Sequence, residues 1–190
     1  MRSGPCAGLA CALLLATCPA AADEPERVMP WAKEDTADDH PLTLKVTLGA
    51  DYRSLFGVPI YGGEVRAGFG VRTALFTLYG TAGFTLATTQ YGLTTTIYEV
   101  GCSFERRVDR FTFGLLIRPS YLRISRATTS GALDSLGVGA APFVAFDLLS
   151  SEGHALFVAA SLNVDEYLVG SDAFAWGPTV SLGYRDDAVE

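Results

Sequence analysis

The 190-residue chain is 49% hydrophobic but only 18% charged, with a mean hydropathy of +0.26, whereas about a quarter of a typical soluble domain is charged. It is long enough for one domain with its own core, yet no apolar run reaches the roughly 18 residues of a spanning helix. A formal net charge of −7 without a basic stripe excludes a nucleic-acid-binding module.

The first 22 residues read as a secretory signal. Arg2 supplies the positive end, "AGLACALLLATC" the short apolar run, and Ala20-Ala21-Ala22 the small-residue cleavage site. A second processing route is open: "LATC", Leu15 to Cys18, resembles a lipoprotein signal box, which would lipidate Cys18. Cleavage after Ala22 removes Cys6, Cys11 and Cys18. Cys102 alone is left, so no intrachain disulfide framework and no cysteine metal site is expected.

Residues 23–41 carry seven acids, two bases and three prolines, with no apolar period. They are expected to form an acidic, disordered periplasmic leader.

From Leu42 onward the hydrophobic period is two. In "LTLKVTLGADYR" (42–53), Leu42, Leu44, Val46, Leu48, Ala50 and Tyr52 share one face, and Thr43, Lys45, Thr47, Asp51 and Arg53 the other. Seven further segments repeat the pattern, at 61–72, 74–87, 96–106, 110–122, 135–149, 154–165 and 174–185. Each approximates the 9–11 residues of a tilted membrane strand. The connections after the second, fourth and sixth segments are short. Those at 54–60, 88–95, 123–134 and 166–173 are longer. This asymmetry fits tight turns on the periplasmic side and loops outside, and it offers the longer loops to an extracellular partner.

The polar faces decide which side points inward. They hold mostly Gly, Thr, Ser and Ala with single charges between them. A water-facing surface would be dense in charge, while small residues suit the narrow interior of eight strands. The apolar faces place Tyr52, Tyr61, Phe84, Tyr98, Tyr121, Phe174 and Trp176 towards one rim. Phe69, Phe76, Phe104, Phe111, Phe113, Phe146 and Tyr184 lie towards the other, as two membrane interfaces select. The expected fold is all-β: a transmembrane, antiparallel, up-and-down barrel of eight strands over residues 42–185, with a tail at 186–190.

These segments, the loop asymmetry and the final strand "GPTVSLGYR" resemble the small outer-membrane barrels of the OmpA/OmpX type. The resemblance implies insertion into the outer membrane by the barrel-insertion machinery, contact with membrane lipid and lipopolysaccharide, and a strand-terminal aromatic, here Tyr184, as the insertion signal. The chain continues past that aromatic with "RDDAVE".

Inside such a barrel Lys45, Asp51, Arg53, Glu64, Arg66, Glu99, Glu105, Arg118 and Asp147 form a lumen charge network. An unpaired charge there is costly. An in-register hairpin around 106–110 sets Glu99 opposite Arg118 as an ion pair. The network either plugs the barrel or gates a narrow pore. Ala141, Phe143, Ala145, Phe157 and Ala159 make one lumen wall apolar, which is either packing or a small-ligand pocket. Pro119, Pro142 and Pro178 interrupt strands in which each residue should donate to the ladder, so each marks a bulge, a gap or a lateral opening. Arg123 and Arg126 in the third external loop are candidates for surface contact, including lipopolysaccharide phosphates.

Enzymatic barrels need a general base, and only His40 and His154 are available, neither in an external loop. Ser151 and Glu152 precede His154 as a conceivable periplasmic-side triad. With no metal-spaced cluster and no phosphate loop, no catalytic residues, metal or cofactor are assigned. A structural or surface-interaction role is the first expectation, a narrow channel or apolar-ligand barrel the second, and a lipid-modifying enzyme the third.

Overall fold

The computed structural model describes residues 42–189 apart from 56, 74, 127–130, 152 and 169–172. The predicted signal and leader lie outside the described residues, as does Glu152.

Eight strands follow in order: β1 (Leu42–Leu55), β2 (Val58–Arg72), β3 (Thr77–Thr89), β4 (Leu93–Val108), β5 (Phe111–Arg126), β6 (Ala132–Ser151), β7 (His154–Tyr167) and β8 (Ala173–Val189). Each pairs antiparallel with its neighbours, and β1 pairs with β8 to close the barrel.

The period of two fixes inside and outside throughout. In β1, Thr43, Lys45, Thr47, Asp51 and Arg53 are buried, while Leu44, Val46, Leu48 and Tyr52 are exposed. Leu48 is 65% exposed, Arg53 and Arg118 0%. This inverts the arrangement that water selects, and so large a continuous apolar exterior is a lipid-facing belt. Aromatic clusters flank it. Tyr52–Tyr61 and Phe84–Tyr98 have ring centroids 5.2 and 5.3 Å apart towards one rim. Phe111–Phe146, at 5.1 Å, lies towards the other. Cys102 is exposed on the belt between Val100 and Phe104. A charged, water-soluble maleimide should therefore leave Cys102 unlabelled in lipid vesicles and label it after urea unfolding. Rapid labelling of the folded vesicle-bound protein would contradict a lipid-facing belt.

The strands run longer than the sequence pattern suggests. Two expected loops, 54–60 and 88–95, are mostly strand: β1 reaches Leu55 and β2 resumes at Val58, while β3 and β4 are separated only by residues 90–92. Gly57 and Gly92 turn these hairpins with φ of 77° and 73°, which glycine adopts without steric cost. Likewise β5 runs to Arg126, β6 starts at Ala132, and β7 reaches Tyr167. Alternation persists here but loses its contrast: the inward members are apolar in the first hairpin, Leu55 and Ile60, and in the second the inward Thr89 and Thr95 match the outward Thr88 and Thr94.

The expected tail is also strand. Asp186 pairs with His154 and Leu42 with Val189, and the Asp187 amide donates to the Gly153 carbonyl at 2.7 Å.

Pro119, Pro142 and Pro178 all point outward. None creates a bulge; each leaves a gap in one ladder. Pairing between β4 and β5 jumps from Glu99–Ser120 to Cys102–Ile117. Between β6 and β7 it jumps from Ala140–Val164 to Phe143–Ser161, and between β1 and β8 from Asp51–Thr179 to Ser54–Trp176. The register is the same on both sides of every gap. Each proline stays paired on its other flank, with Val138, Leu115 and Leu162 respectively. The missing N–H therefore costs one side of the ladder only. Register shifts fall elsewhere, between Leu42 and Leu44 and between Asp147 and Leu149.

Candidate functional site in the barrel lumen

The inward side chains stack in layers from the terminal end, where β1 begins and β8 ends, to the opposite rim. At the terminal end, Asp147 accepts from Arg107 at 2.6 Å and from Arg185 at 3.0 Å. Asp187 faces Arg185 at 3.3 Å, Arg107 at 3.5 Å and Arg72 at 3.9 Å, and accepts from the Thr43 hydroxyl at 2.7 Å. Next along β1, Lys45 pairs with Glu105. Its ammonium lies 4.4 Å from the Tyr79 ring centroid and 5.2 Å from that of Phe143. The rings add attraction where the amine has little water.

The waist holds a cavity of about 40 Å³. Lys45, Arg66 and five hydroxyl side chains line one side of it, and Leu116, Ala141, Phe143, Phe157 and Ala159 the other. Ala145 packs with Phe157 and Ala159 in the same wall. The apolar wall expected from the sequence is present, but the space suits a few waters, not a ligand pocket of roughly 300–1,000 Å³.

Above the waist sits the densest charge cluster. Asp165 is its hub: Arg53 reaches it at 2.8 Å, and Arg118 donates through Nε and a terminal nitrogen at 3.2 and 3.0 Å. Arg53 also donates to Asp51 at 2.9 Å, and Asp51 accepts from the Thr179 hydroxyl at 2.6 Å. Asn163 donates to Thr179 at 2.7 Å. Arg66 bridges Glu99 at 2.6 Å and Glu64 at 3.2 Å. Bidentate and shared guanidinium contacts of this kind make buried charge tolerable.

The Glu99–Arg118 pair forms, at 3.1 Å, but not by the expected register. The two-residue turn is Asp109-Arg110, one residue further along the chain than a Glu99–Arg118 register requires, with Asp109 at φ 53°. Glu99 then lies opposite Ser120, not Arg118. A slip of two preserves the face, so the pair forms on the diagonal instead.

Space for these side chains comes from glycines on the adjacent strand. A Cβ on Gly139 would fall 1.9 Å from the Asp165 carboxylate, and one on Gly83 2.6 Å from that of Glu99. Gly101 and Gly177 stand in the gaps beside Pro119 and Pro178, where β5 and β1 pass so close that a Cβ would meet backbone.

An apolar cap closes the lumen at the far rim: Leu55, Ile60, Ala87, Ile97, Leu122, Tyr167 and Ala175 are all buried in one cluster.

The charged residues singled out from sequence thus fall into two clusters. Lys45, Glu105 and Asp147 belong to the terminal one; Asp51, Arg53, Glu64, Arg66, Glu99 and Arg118 to the upper one. Asp165, Arg107, Arg185 and Asp187 were missed as members. Asp165 was legible on the inward face of "LNVD", and Arg185 and Asp187 in the spacing of "RDD". Arg123 and Arg126 lie at the end of β5, outside the lumen. Arg123 faces Asp134 at 3.8 Å with both side chains about half exposed. His154 contacts Tyr184 at 2.8 Å and Asp186 at 3.3 Å on the outer face. Among the described residues no group of three His, Cys, Asp or Glu side chains is placed to hold a metal.

The same architecture occurs in Neisserial surface protein A, with a TM-score of 0.52 at 14% identity over 77% of this chain and 97% of that one. The chain has the fold of the small outer-membrane barrels. The N-terminal β-barrel domain of Pseudomonas aeruginosa OprF was also matched, at TM-score 0.49 and 11% identity over 77% of this chain and 98% of that one. No protein-family model and no curated protein matches the chain.

Proposed function

We propose that this protein is an outer-membrane barrel of Gram-negative type with a structural or surface-interaction role, exported by its signal and inserted by the barrel machinery. The observation that carries this reading is the closed lumen inside a lipid-facing wall. An ion crossing it would have to part the Asp147–Asp187 arginine cluster, the Lys45–Glu105 pair and the Asp165 hub, and then pass the apolar cap. Each barrier costs several kcal/mol when a buried charge loses its partner. Function is then left to the rims. We assign lipopolysaccharide phosphates to Arg123 and Arg126 because both are exposed at the end of β5 and a guanidinium fork matches phosphate oxygens.

Fractionation should find the mature protein in the outer membrane with heat-modifiable gel mobility. Planar bilayers containing the folded barrel should show no conductance steps above baseline. Steady unitary steps from the wild-type barrel would favour the channel reading and overturn this one, and a soluble, heat-insensitive product would overturn both.

A further inference from the structure

At the rim where β1 begins and β8 ends, the belt contains a cation that the fold leaves to the lipid. Arg106 is exposed on β4, two residues beyond Phe104, and so points outward while its neighbours Glu105 and Arg107 face the lumen. Its cross-strand partner is Phe113. On its other side Phe76 immediately precedes Thr77, the partner of Glu105. Phe76, Phe104, Phe111 and Phe113 are each roughly half exposed, between 46% and 53%. Among the described residues no carboxylate pairs with Arg106, or with Arg110 in the adjoining two-residue turn. Glu105 is committed to Lys45, and Asp147 to Arg107 and Arg185.

The neighbouring outward polar groups differ. His154, Tyr184 and Asp186 satisfy one another on β7 and β8. Arg106 therefore sits among phenyl rings at the edge of the apolar belt with a full charge and no carboxylate partner among the described residues. A guanidinium in that position extends its stem along apolar surface and holds its head at the interface. Its planar fork matches two oxygens of a phosphate.

We propose that Arg106, with Arg110 as a second donor, binds the phosphodiester of a glycerophospholipid in the leaflet at the end where β1 begins and β8 ends. The acyl chains would lie over Phe104, Phe111 and Phe113. In the outer-membrane reading, on which this inference rests, that leaflet is the periplasmic one.

Folded barrel in dodecylmaltoside is titrated with phosphatidylglycerol, and retained lipid is counted by native mass spectrometry. One lipid per barrel is expected at the lowest saturating concentration. Arg106→Ala should weaken retention about tenfold, the scale of one charge-assisted contact. Arg106→Lys should fall between, and Gln90→Ala in the exposed β3–β4 turn at the opposite rim should match wild type. Unchanged retention in Arg106→Ala and in the Arg106→Ala/Arg110→Ala double variant would overturn the site. Displacement of the lipid by equimolar inorganic phosphate would assign it to the free anion and overturn the lipid proposal. Heat-modifiable mobility, measured on the same samples, separates the two readings. Its absence in wild type counts against the membrane barrel, and its presence with unchanged retention counts against the lipid site alone.

Discussion

Asp165→Ala should be the most damaging single substitution in the barrel, lowering its unfolding free energy by about 3–5 kcal/mol, the range for removing one partner of a buried ion pair. Arg53 and Arg118 are both fully buried, and both lean on this one carboxylate. Arg118 would retain only Glu99, at 3.1 Å, while Glu99 is already shared with Arg66 at 2.6 Å. Arg53 would retain Asp51 at 2.9 Å and Glu64 at 3.7 Å. A guanidinium cannot shed its proton to escape the deficit. The measurement is urea unfolding in phospholipid vesicles, followed by tryptophan fluorescence and heat-modifiable mobility. Asp165→Asn keeps the shape and removes only the charge, so it should lose a similar amount even where the alanine variant fails to fold. Asp134→Ala, which breaks the half-exposed 3.8 Å pair with Arg123, should change stability by less than about 1 kcal/mol. Equal, small losses at Asp165 and Asp134 would mean that the upper cluster is well hydrated, and the sealed-lumen reading would fall with it.

The contrast between those two aspartates shows what the sequence carried and what it withheld. Alternation places Asp165 on a strand and leaves Asp134 in the expected loop 123–134, although β6 begins at Ala132; it also tells which side of the wall each segment's polar residues occupy. The small size of the inward residues settled the direction, because a lumen of eight strands admits little else. Partner choice was harder. A turn within 106–110 sets Glu99 opposite Arg118 only when it is centred on 108–109, and the chain turns at Asp109-Arg110 instead. The pair survived only because a slip of two leaves both side chains inside. Asp165 went unassigned because its partners Arg53 and Arg118 lie 112 and 47 residues away. No local spacing reports such a contact.

The rims were least legible. Near the cap the contrast between faces fades: inward Leu55 and Ile60 are apolar, and Thr88, Thr89, Thr94 and Thr95 put the same side chain on both faces, which mimics a loop boundary. At the C-terminus the opposite happens. Asp186 and Asp187 fall in the expected tail, yet inward Asp187 is held by Arg107 and Thr43, next to Arg185 on Asp147. Pro119, Pro142 and Pro178 were recognisable as breaks in the ladder. That each break would be a gap, not a bulge, depended on which flank the proline nitrogen faces, and this follows from register alone.

One of those gaps sets the second large expected effect: Gly177→Ala should open the seam between β8 and β1. Pro178 has no N–H for this ladder, which lacks pairs between Asp51–Thr179 and Ser54–Trp176. Close packing of the two strands takes over there. A Cβ on Gly177 would lie 2.0 Å from the Tyr52 carbonyl oxygen and 2.7 Å from the Arg53 Cα. Both are backbone atoms and cannot rotate aside as a side chain can. The strands must separate, and Arg53 moves with them, away from Asp165. Overpacking alone costs about 1–3 kcal/mol, and the strain on a fully buried ion pair adds to it. Gly80→Ala is the matched comparison. Gly80 faces outward on β3, and the nearest atom to its added Cβ is the Phe69 carbonyl oxygen at 3.8 Å. It should be neutral, or stabilising by about 0.4–1 kcal/mol through a less flexible unfolded chain. Both variants are compared by urea unfolding in vesicles, and the seam by cross-linking yield between cysteines placed at Ala50 and Val180, which are register partners just beyond the gap. Lower stability with reduced cross-linking in Gly177→Ala, and neither change in Gly80→Ala, is the expected pattern. If Gly177→Ala unfolds with Gly80→Ala and keeps its cross-link, the seam is looser than its geometry states, and Arg53 is not held by close strand packing.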